Sequence, residues 1–281
     1  MYNIDNNIRI YDMDNRIFDN DNRISDTGNK ELFEDISKMQ IISSDFDNWS
    51  ENNTAFERGA TAIKQYNDIL SVWNENTEFR SSELNLPIRI FVNTDYNNAC
   101  YYGISSFIRF VYGNHANSDY LVTDVVGHEF GHFIQDYYNR GGTLGSSLRS
   151  SCEDDWSKKQ AGAISEGTAD IFGMLIESLI ENIDIRSKEF YYLGEGVYSN
   201  VTCFRDHNDY TLDICYTNVS DYESAVNNPQ INYDRIYYEG SYLVFDILKY
   251  MIKKDKSLTA TMLLEFWRKV MERFGYFRNI R

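Results

Sequence analysis

His128-Glu129-Phe130-Gly131-His132 is the stretch that decides how this chain is read. Residues four apart on an α-helix lie nearly on one face, one turn apart. His128 and His132 can therefore offer two imidazoles to one Zn²⁺. Glu129 sits about 100° around the helix from His128, beside the metal, where it serves as a base and not a ligand. A catalytic zinc typically takes three protein ligands and leaves a fourth position to water. Downstream, Ser165-Glu166-Gly167-Thr168-Ala169-Asp170 offers the third in Glu166, which completes a His₂Glu set. Asp170 follows one turn later and is placed to accept the far N–H of a ligand histidine, fixing its tautomer and raising its basicity. The pattern points to zinc-assisted hydrolysis of a peptide bond. A buried structural histidine pair is the alternative. The chain has only four histidines, however, and charged residues on an apolar helix are rarely accidental unless paired or metal-bound.

The flanking patterns put both motifs on helices. Leu121, Val122, Val125, Val126, Phe130, Phe133 and Ile134 repeat with helical spacing. Ser118 and Asp119 suit an N-cap, and Gly141-Gly142 a C-terminal stop. From Gly162 to Ile180 a second, largely buried helix carries the acidic pair. An amphipathic helix is expected near Phe56 to Trp73, and two more over Ser241 to Ile252 and Ala260 to Phe274. Ile8 to Tyr11, Ile88 to Val92 and Phe107 to Val111 read as strands. Near the N-terminus, Asn7-Ile8-Arg9, Asn15-Arg16-Ile17 and Asn22-Arg23-Ile24 form a short Asn/Asp-rich echo that reads as successive turns and not as an EF-hand.

Asp124 to His132, together with Gly162 to Gly173, resembles the thermolysin family of zinc endopeptidases, and the resemblance runs from roughly Ile8 to Leu248. It implies an α+β, two-lobed fold. A β-rich N-terminal subdomain, 1–139, would end in the zinc helix, and a mainly helical one, 140–281, would carry the third ligand. It implies the same roles as the spacing: His128, His132 and Glu166 on zinc, Glu129 as base, and Asp170 behind a ligand. By resemblance, Asn98 and the carbonyl of Ala99 hold an extended substrate at a sheet edge, although an Asn-rich turn would look the same. Arg205 would help bind the substrate carbonyl. Val125, Leu193, Val197 and Phe204 fall near the family's apolar pocket, which implies a hydrophobic residue just after the cleaved bond; core packing is the alternative for each. Asp124, Glu177 and Glu195 match acidic positions around a calcium site. Phe190 and Tyr192 replace two further acidic positions, so one Ca²⁺ is expected and not two.

Two departures from the family stand out. The family's oxyanion tyrosine aligns with Ser157 or neighbouring Trp156, and its histidine falls in Arg235 to Ser241, which holds none. Tyr237 is the first substitute, Tyr238 the next and His207 a weaker one, since a phenol is a usable donor. Gly141 to Lys159 reads as an inserted loop, either gating the cleft or passive. The expected mechanism is direct hydrolysis, with Glu129 moving the proton from water to the leaving amine and Tyr237 and Arg205 steadying the oxyanion. An aminopeptidase and a non-catalytic zinc-binding recognition domain are the rivals.

Composition bounds the rest. At 281 residues the chain is long enough for two lobes, and 42% hydrophobic residues are ample for a core. A net charge of −16 argues against nucleic acid or an anionic membrane as partner; the motif and the resemblance imply a peptide or protein substrate. No apolar span of membrane length is present. A monomer is expected. The family is usually secreted behind a signal and a propeptide, neither of which is read here. The expectation is an extracellular enzyme, or a cytoplasmic one if Met1 is the native start. Cys203 and Cys215 are the preferred pair among four cysteines, with free thiols as the alternative.

Overall fold

Burial follows the helical repeat closely. A computed structural model describes residues 8–12, 17–18, 24–25, 53–77, 88–94, 98–104, 107–115, 118–139, 155–197, 203, 205–207 and 233–277. Five long helices account for most of these: α1 (Asn53–Asn76), α2 (Thr123–Asn139), α3 (Asp155–Glu181), α4 (Tyr233–Lys254) and α5 (Ala260–Phe277). The sheets are small, so the described residues are mostly helical. On α1, Ala62, Tyr66, Ile69, Leu70 and Trp73 are buried, a stripe at the three- and four-residue spacing that turns one helix face inward. Trp73 packs edge-on against Phe130 of α2 at 5.5 Å and lies 5.6 Å from Phe172 of α3. One apolar cluster joins these residues to Phe245, Leu248, Leu263 and Trp267 of the last two helices.

The main sheet runs β1 (Ile8–Asp12), β4 (Ile88–Thr94), β6 (Phe107–His115) and β5 (Ala99–Ile104) in spatial order. β1 and β6 flank β4 in parallel, and β5 pairs antiparallel with β6 from Ala99↔Tyr112 to Ile104↔Phe107. Among the described strands β5 therefore ends the sheet as an edge strand. Ile17–Phe18 (β2) and Ile24–Ser25 (β3) form a separate antiparallel pair. That pair replaces part of the turn series expected from the Asn/Asp-rich echo. Ser118–Asp119 (β7) pairs with β6, so these two residues do not cap α2. The helix starts at Thr123, and the Asp119 carboxylate instead accepts the Leu121 N–H at 2.9 Å in a local turn.

Glycine lets the two motif-bearing helices touch. A Cβ on Gly173 of α3 would stand 2.5 Å from the Asp124 carbonyl oxygen and 2.9 Å from the His128 amide nitrogen. Gly127 and Gly131 of α2 face α3 in the same way, each with 3.0 Å to its backbone. Only hydrogen in place of Cβ permits this approach. α3 also begins earlier than expected, at Asp155, so residues 155–159 are helical and the expected insertion shortens to 141–154, which lies outside the described residues.

Candidate metal centre

α2 and α3 cross where their polar residues meet. The crossing brings the Nε2 atom of His128 to 3.5 Å from Glu166 Oε2, and Nε2 of His132 to 3.2 Å from Glu166 Oε1. Two ligands each about 2.1 Å from one tetrahedral zinc lie about 3.4 Å apart. The observed separations match that spacing. The far nitrogens are engaged elsewhere. His128 Nδ1–H donates to Asp170 Oδ1 at 2.8 Å, and His132 Nδ1 lies 3.3 Å from Gln135 Oε1. With Nδ1 as the donor, each Nε2 keeps its lone pair for a metal. Two imidazoles and a carboxylate converging in this way fit zinc. His128, Glu129 and His132 present ligand atoms within 4.8 Å of one another, the one such group among the described residues.

Burial and charge divide the three acids. Burial pushes the Glu129 carboxyl up, and the like charge of Glu166 adds to this, against the pull of His128, His132 and a hydrogen bond from the Tyr101 main chain. Burial would raise Glu166 too, but His132 and His128 together hold it well below the carboxylate range. Asp170 behaves alike: Arg205 and His128 outweigh burial and keep it ionised. For His128, burial disfavours the imidazolium, yet its bonds to Asp170 and Glu166 push it up to about 10. A metal must therefore displace a proton held by the same acids that orient the ring.

Around this set lie residues that the motif did not announce. Gln135 and Ser165 interlock beside His132, with Ser165 Oγ donating to Gln135 Oε1 at 2.6 Å and Gln135 Nε2 to the Ser165 carbonyl at 2.8 Å. Gln135 stands three residues after His132, a helical spacing that could have suggested it. Tyr101 on β5 hydrogen-bonds Asp136 of α2, tying the edge strand to the zinc helix. The Glu129 carboxylate touches the same strand through the Tyr101 N–H.

The remaining expected residues fall out as follows. Arg205 starts the short strand β9 (Arg205–Asp206), paired with β8 (Tyr192–Leu193), and is buried against the site. Its guanidinium donates to Asp170 Oδ1 at 2.5 Å and reaches Glu166 Oε2 at 3.4 Å. Asn98 precedes β5, its side-chain oxygen accepting the Ala99 N–H at 2.9 Å. Val125, Leu193 and Val197 are buried members of the core. Phe204 lies outside the described residues. Tyr237 and Tyr238 lie on α4, and Trp156 and Ser157 on α3, with their side chains outside the described residues. His207 is fully buried behind Asp170, which corrects its reading as an oxyanion donor. Cys203 carries a free thiol, so the preferred bridge gives way to its alternative; Cys215 lies outside the described residues.

Asp124, Glu177 and Glu195 lie near enough for their charges to interact, but their ligand atoms do not converge as those of the histidine motif do. Asp124 is buried and accepts the Val125 N–H at 2.8 Å and the Gly194 N–H. Gly194, at φ +76°, makes a turn that glycine adopts without strain and that carries Glu195 toward this corner. Burial, then Asp124 and Glu195, push Glu177 up to about 9, and burial with Glu195 pushes Asp124 up to about 6.

Residues 1–136 match the family model of the thermolysin metallopeptidase catalytic domain. Over that span the chain is similar to the thermolysin family. A search of curated proteins finds no match. The matched span includes the His128–His132 motif and stops before Glu166 and Asp170, whose assignment rests on the crossing of α2 and α3. A thermolysin-family metallopeptidase domain with this histidine and glutamate cluster implies zinc-dependent peptidase activity. No described helix is long and apolar enough to cross a membrane.

Proposed function

We propose that this chain is a zinc endopeptidase that cleaves extended peptides on the N-terminal side of hydrophobic residues. The observation that carries the reading is the position of Glu129, which adjoins both zinc-facing histidines and touches edge strand β5. His128, His132 and Glu166 hold the metal. Bound zinc would supply a Lewis acid that polarises the scissile carbonyl and makes its water acidic. Glu129 takes the water proton and returns it to the leaving amine; a carboxyl raised by burial is suited to both halves of that transfer. An extended substrate adds to the open side of β5, with Asn98 and the Ala99 carbonyl binding its backbone. Arg205 and Tyr237 steady the oxyanion, and Val125, Leu193, Val197 and Phe204 shape the pocket after the cleaved bond. A cleft between an N-terminal subdomain, 1–139, and a C-terminal one, 140–281, houses these groups. One Ca²⁺ at Asp124, Glu177 and Glu195 is part of the same reading, supported by the upward push that Asp124 and Glu195 exert on Glu177 and that Glu195 exerts on Asp124. The enzyme acts as a monomer outside the cell.

The test is cleavage of an internally quenched peptide with blocked ends and a central Leu or Phe. Zinc-dependent cleavage before the apolar residue is expected, with Glu129→Gln losing about 10²–10⁴ in kcat while retaining zinc. Cleavage confined to peptides with a free amino end would replace the endopeptidase with an aminopeptidase. Full zinc content without any cleavage would leave a binding domain.

A further inference from the structure

We propose that His207 is a positioning residue of the metal centre, holding the second carboxylate oxygen of Asp170 and, through it, the ring of His128. The inference rests on the reading of His128 as a zinc ligand and goes beyond the residues that reading uses. Asp170 is fully buried and ionised, and its two oxygens are served unequally. Oδ1 takes both His128 Nδ1–H and the Arg205 guanidinium. Oδ2 has no hydrogen bond within ordinary limits, and neither does either ring nitrogen of His207. These two orphans face each other, with His207 Nε2 3.4 Å from Asp170 Oδ2. At that distance a small turn of the ring makes this a hydrogen bond, and a buried carboxylate oxygen left without one is costly.

A purely structural histidine would need only its shape, because the ring stacks on Phe245 at 4.0 Å and lies beside Tyr242. The backbone argues for more than shape. The His207 N–H donates to the Tyr191 carbonyl at 2.8 Å, and Lys249 Nζ donates to the His207 carbonyl at 2.7 Å. Both ends of the residue are therefore fixed, and the stack fixes the ring plane. Nε2 has little freedom to point anywhere but at Asp170. With donors on both oxygens, the Asp170 carboxylate cannot rotate, so Oδ1 keeps the direction that sets the His128 tautomer and aims its Nε2 at the metal. Burial keeps the His207 imidazole neutral, so it adds a donor without adding charge beside Arg205.

Two measurements decide the proposal. In ¹⁵N-histidine NMR the wild type has only four rings to assign, and His207 is expected as the neutral Nε2–H tautomer. A ring protonated on Nδ1 alone overturns the proposal, and this test needs no variant. His207→Phe keeps the stack and deletes the donor, whereas His207→Gln restores an N–H. Zinc affinity from competition with a chromophoric chelator is expected to fall about tenfold or more in His207→Phe, within the range for groups behind a ligand. The visible spectrum of the Co²⁺-loaded protein should shift with it, and His207→Gln should recover most of both. Wild-type affinity and an unchanged Co²⁺ spectrum in His207→Phe would reduce His207 to core packing. Wild-type protein that takes up no zinc would overturn the metal centre itself and this proposal with it.

Discussion

Replacing Gly173 with alanine tests whether the close crossing of α2 and α3 builds the centre. The new Cβ would lie 2.5 Å from the Asp124 carbonyl oxygen, 2.9 Å from the His128 amide nitrogen and 3.3 Å from His128 Cα. Unstrained contacts of carbon fall near 3.5 Å, so the helices must part by up to about 1 Å. All three atoms are backbone, and no rotamer change can relieve them. Such overpacking costs about 1–3 kcal/mol, toward the upper end where backbone must move. Alanine returns about 0.8–1.0 kcal/mol of helix propensity. The net loss is about 2 kcal/mol, or roughly 4–8 °C in Tm for a chain of this size. The loss should reach the metal as well. Glu166 lies two turns before Gly173 on the same face, and parting the helices widens its separations from His128 and His132, now 3.5 and 3.2 Å. Thermal melts and zinc titration check both effects. Gly131→Ala should be milder, since its nearest contacts are at 3.0 Å. Gly173→Ala protein as stable as wild type, with equal zinc affinity, would refute the reasoning, because propensity alone would then have decided the outcome.

Asp170→Asn should lower zinc affinity about 10–100-fold by loosening His128, and by removing one of the two carboxylates that Arg205 addresses it should cost about 1.5–3 kcal/mol in denaturant titrations. Tyr101→Phe removes the donor to Asp136 across β5 and α2. A loss of about 1.5–3 kcal/mol is expected, together with a raised KM if β5 holds the substrate as proposed. Stability should also depend on pH in a way that exposes the Asp124 corner. Burial first, then neighbouring carboxylates, raise Asp124 to about 6 and Glu177 to about 9, so the folded protein keeps protons that the unfolded chain releases above about pH 4. Stability from these two groups therefore falls as pH rises through about 6 and on toward about 9. Glu166 and Asp170 are lowered, and their contribution is lost only on going below the ordinary carboxylate range. Melts without Ca²⁺ at pH 5 and 8.5 should show the fall, and Glu177→Gln should flatten it. A Tm that climbs across the same interval would count against the cluster.

How much of this was legible depended on whether a residue's partner lies along its own helix. His128, His132 and Glu129 share one helix, and Glu166 and Asp170 another, so spacing alone gave their relative positions. The strands at residues 8–12, 88–94 and 107–115 and the three other helices were legible for the same reason, as runs of one period. Gly127, Gly131 and Gly173 carry no period of their own. Their use appears only once α2 is known to cross α3. Ser118 and Asp119 carried a true capping preference, but pairing with β6 claimed them first. The early start of α3 at Asp155 was not legible, because the Gly- and Ser-rich stretch before it reads as loop. His207 was out of reach, because its neighbours come from three separate stretches, at Asp170, Tyr191 and Phe245.

The same distinction explains why Arg205 matters more than its short strand suggests. Glu166 and Asp170 are like charges one turn apart on a buried helix, an arrangement that repels and that a helix of this apolarity would not keep unaided. Both nevertheless stay ionised, because Arg205 reaches across to the two of them and the imidazole of His128 lies between them. The guanidinium fork suits this, since its nitrogens can address two carboxylates at once where an ammonium offers one compact charge. Arg205 is thus already committed to the acids before any substrate arrives. In the proposed oxyanion role it would have to use donors those acids leave over, so that role would need no rearrangement of the charges around His128 and Glu166.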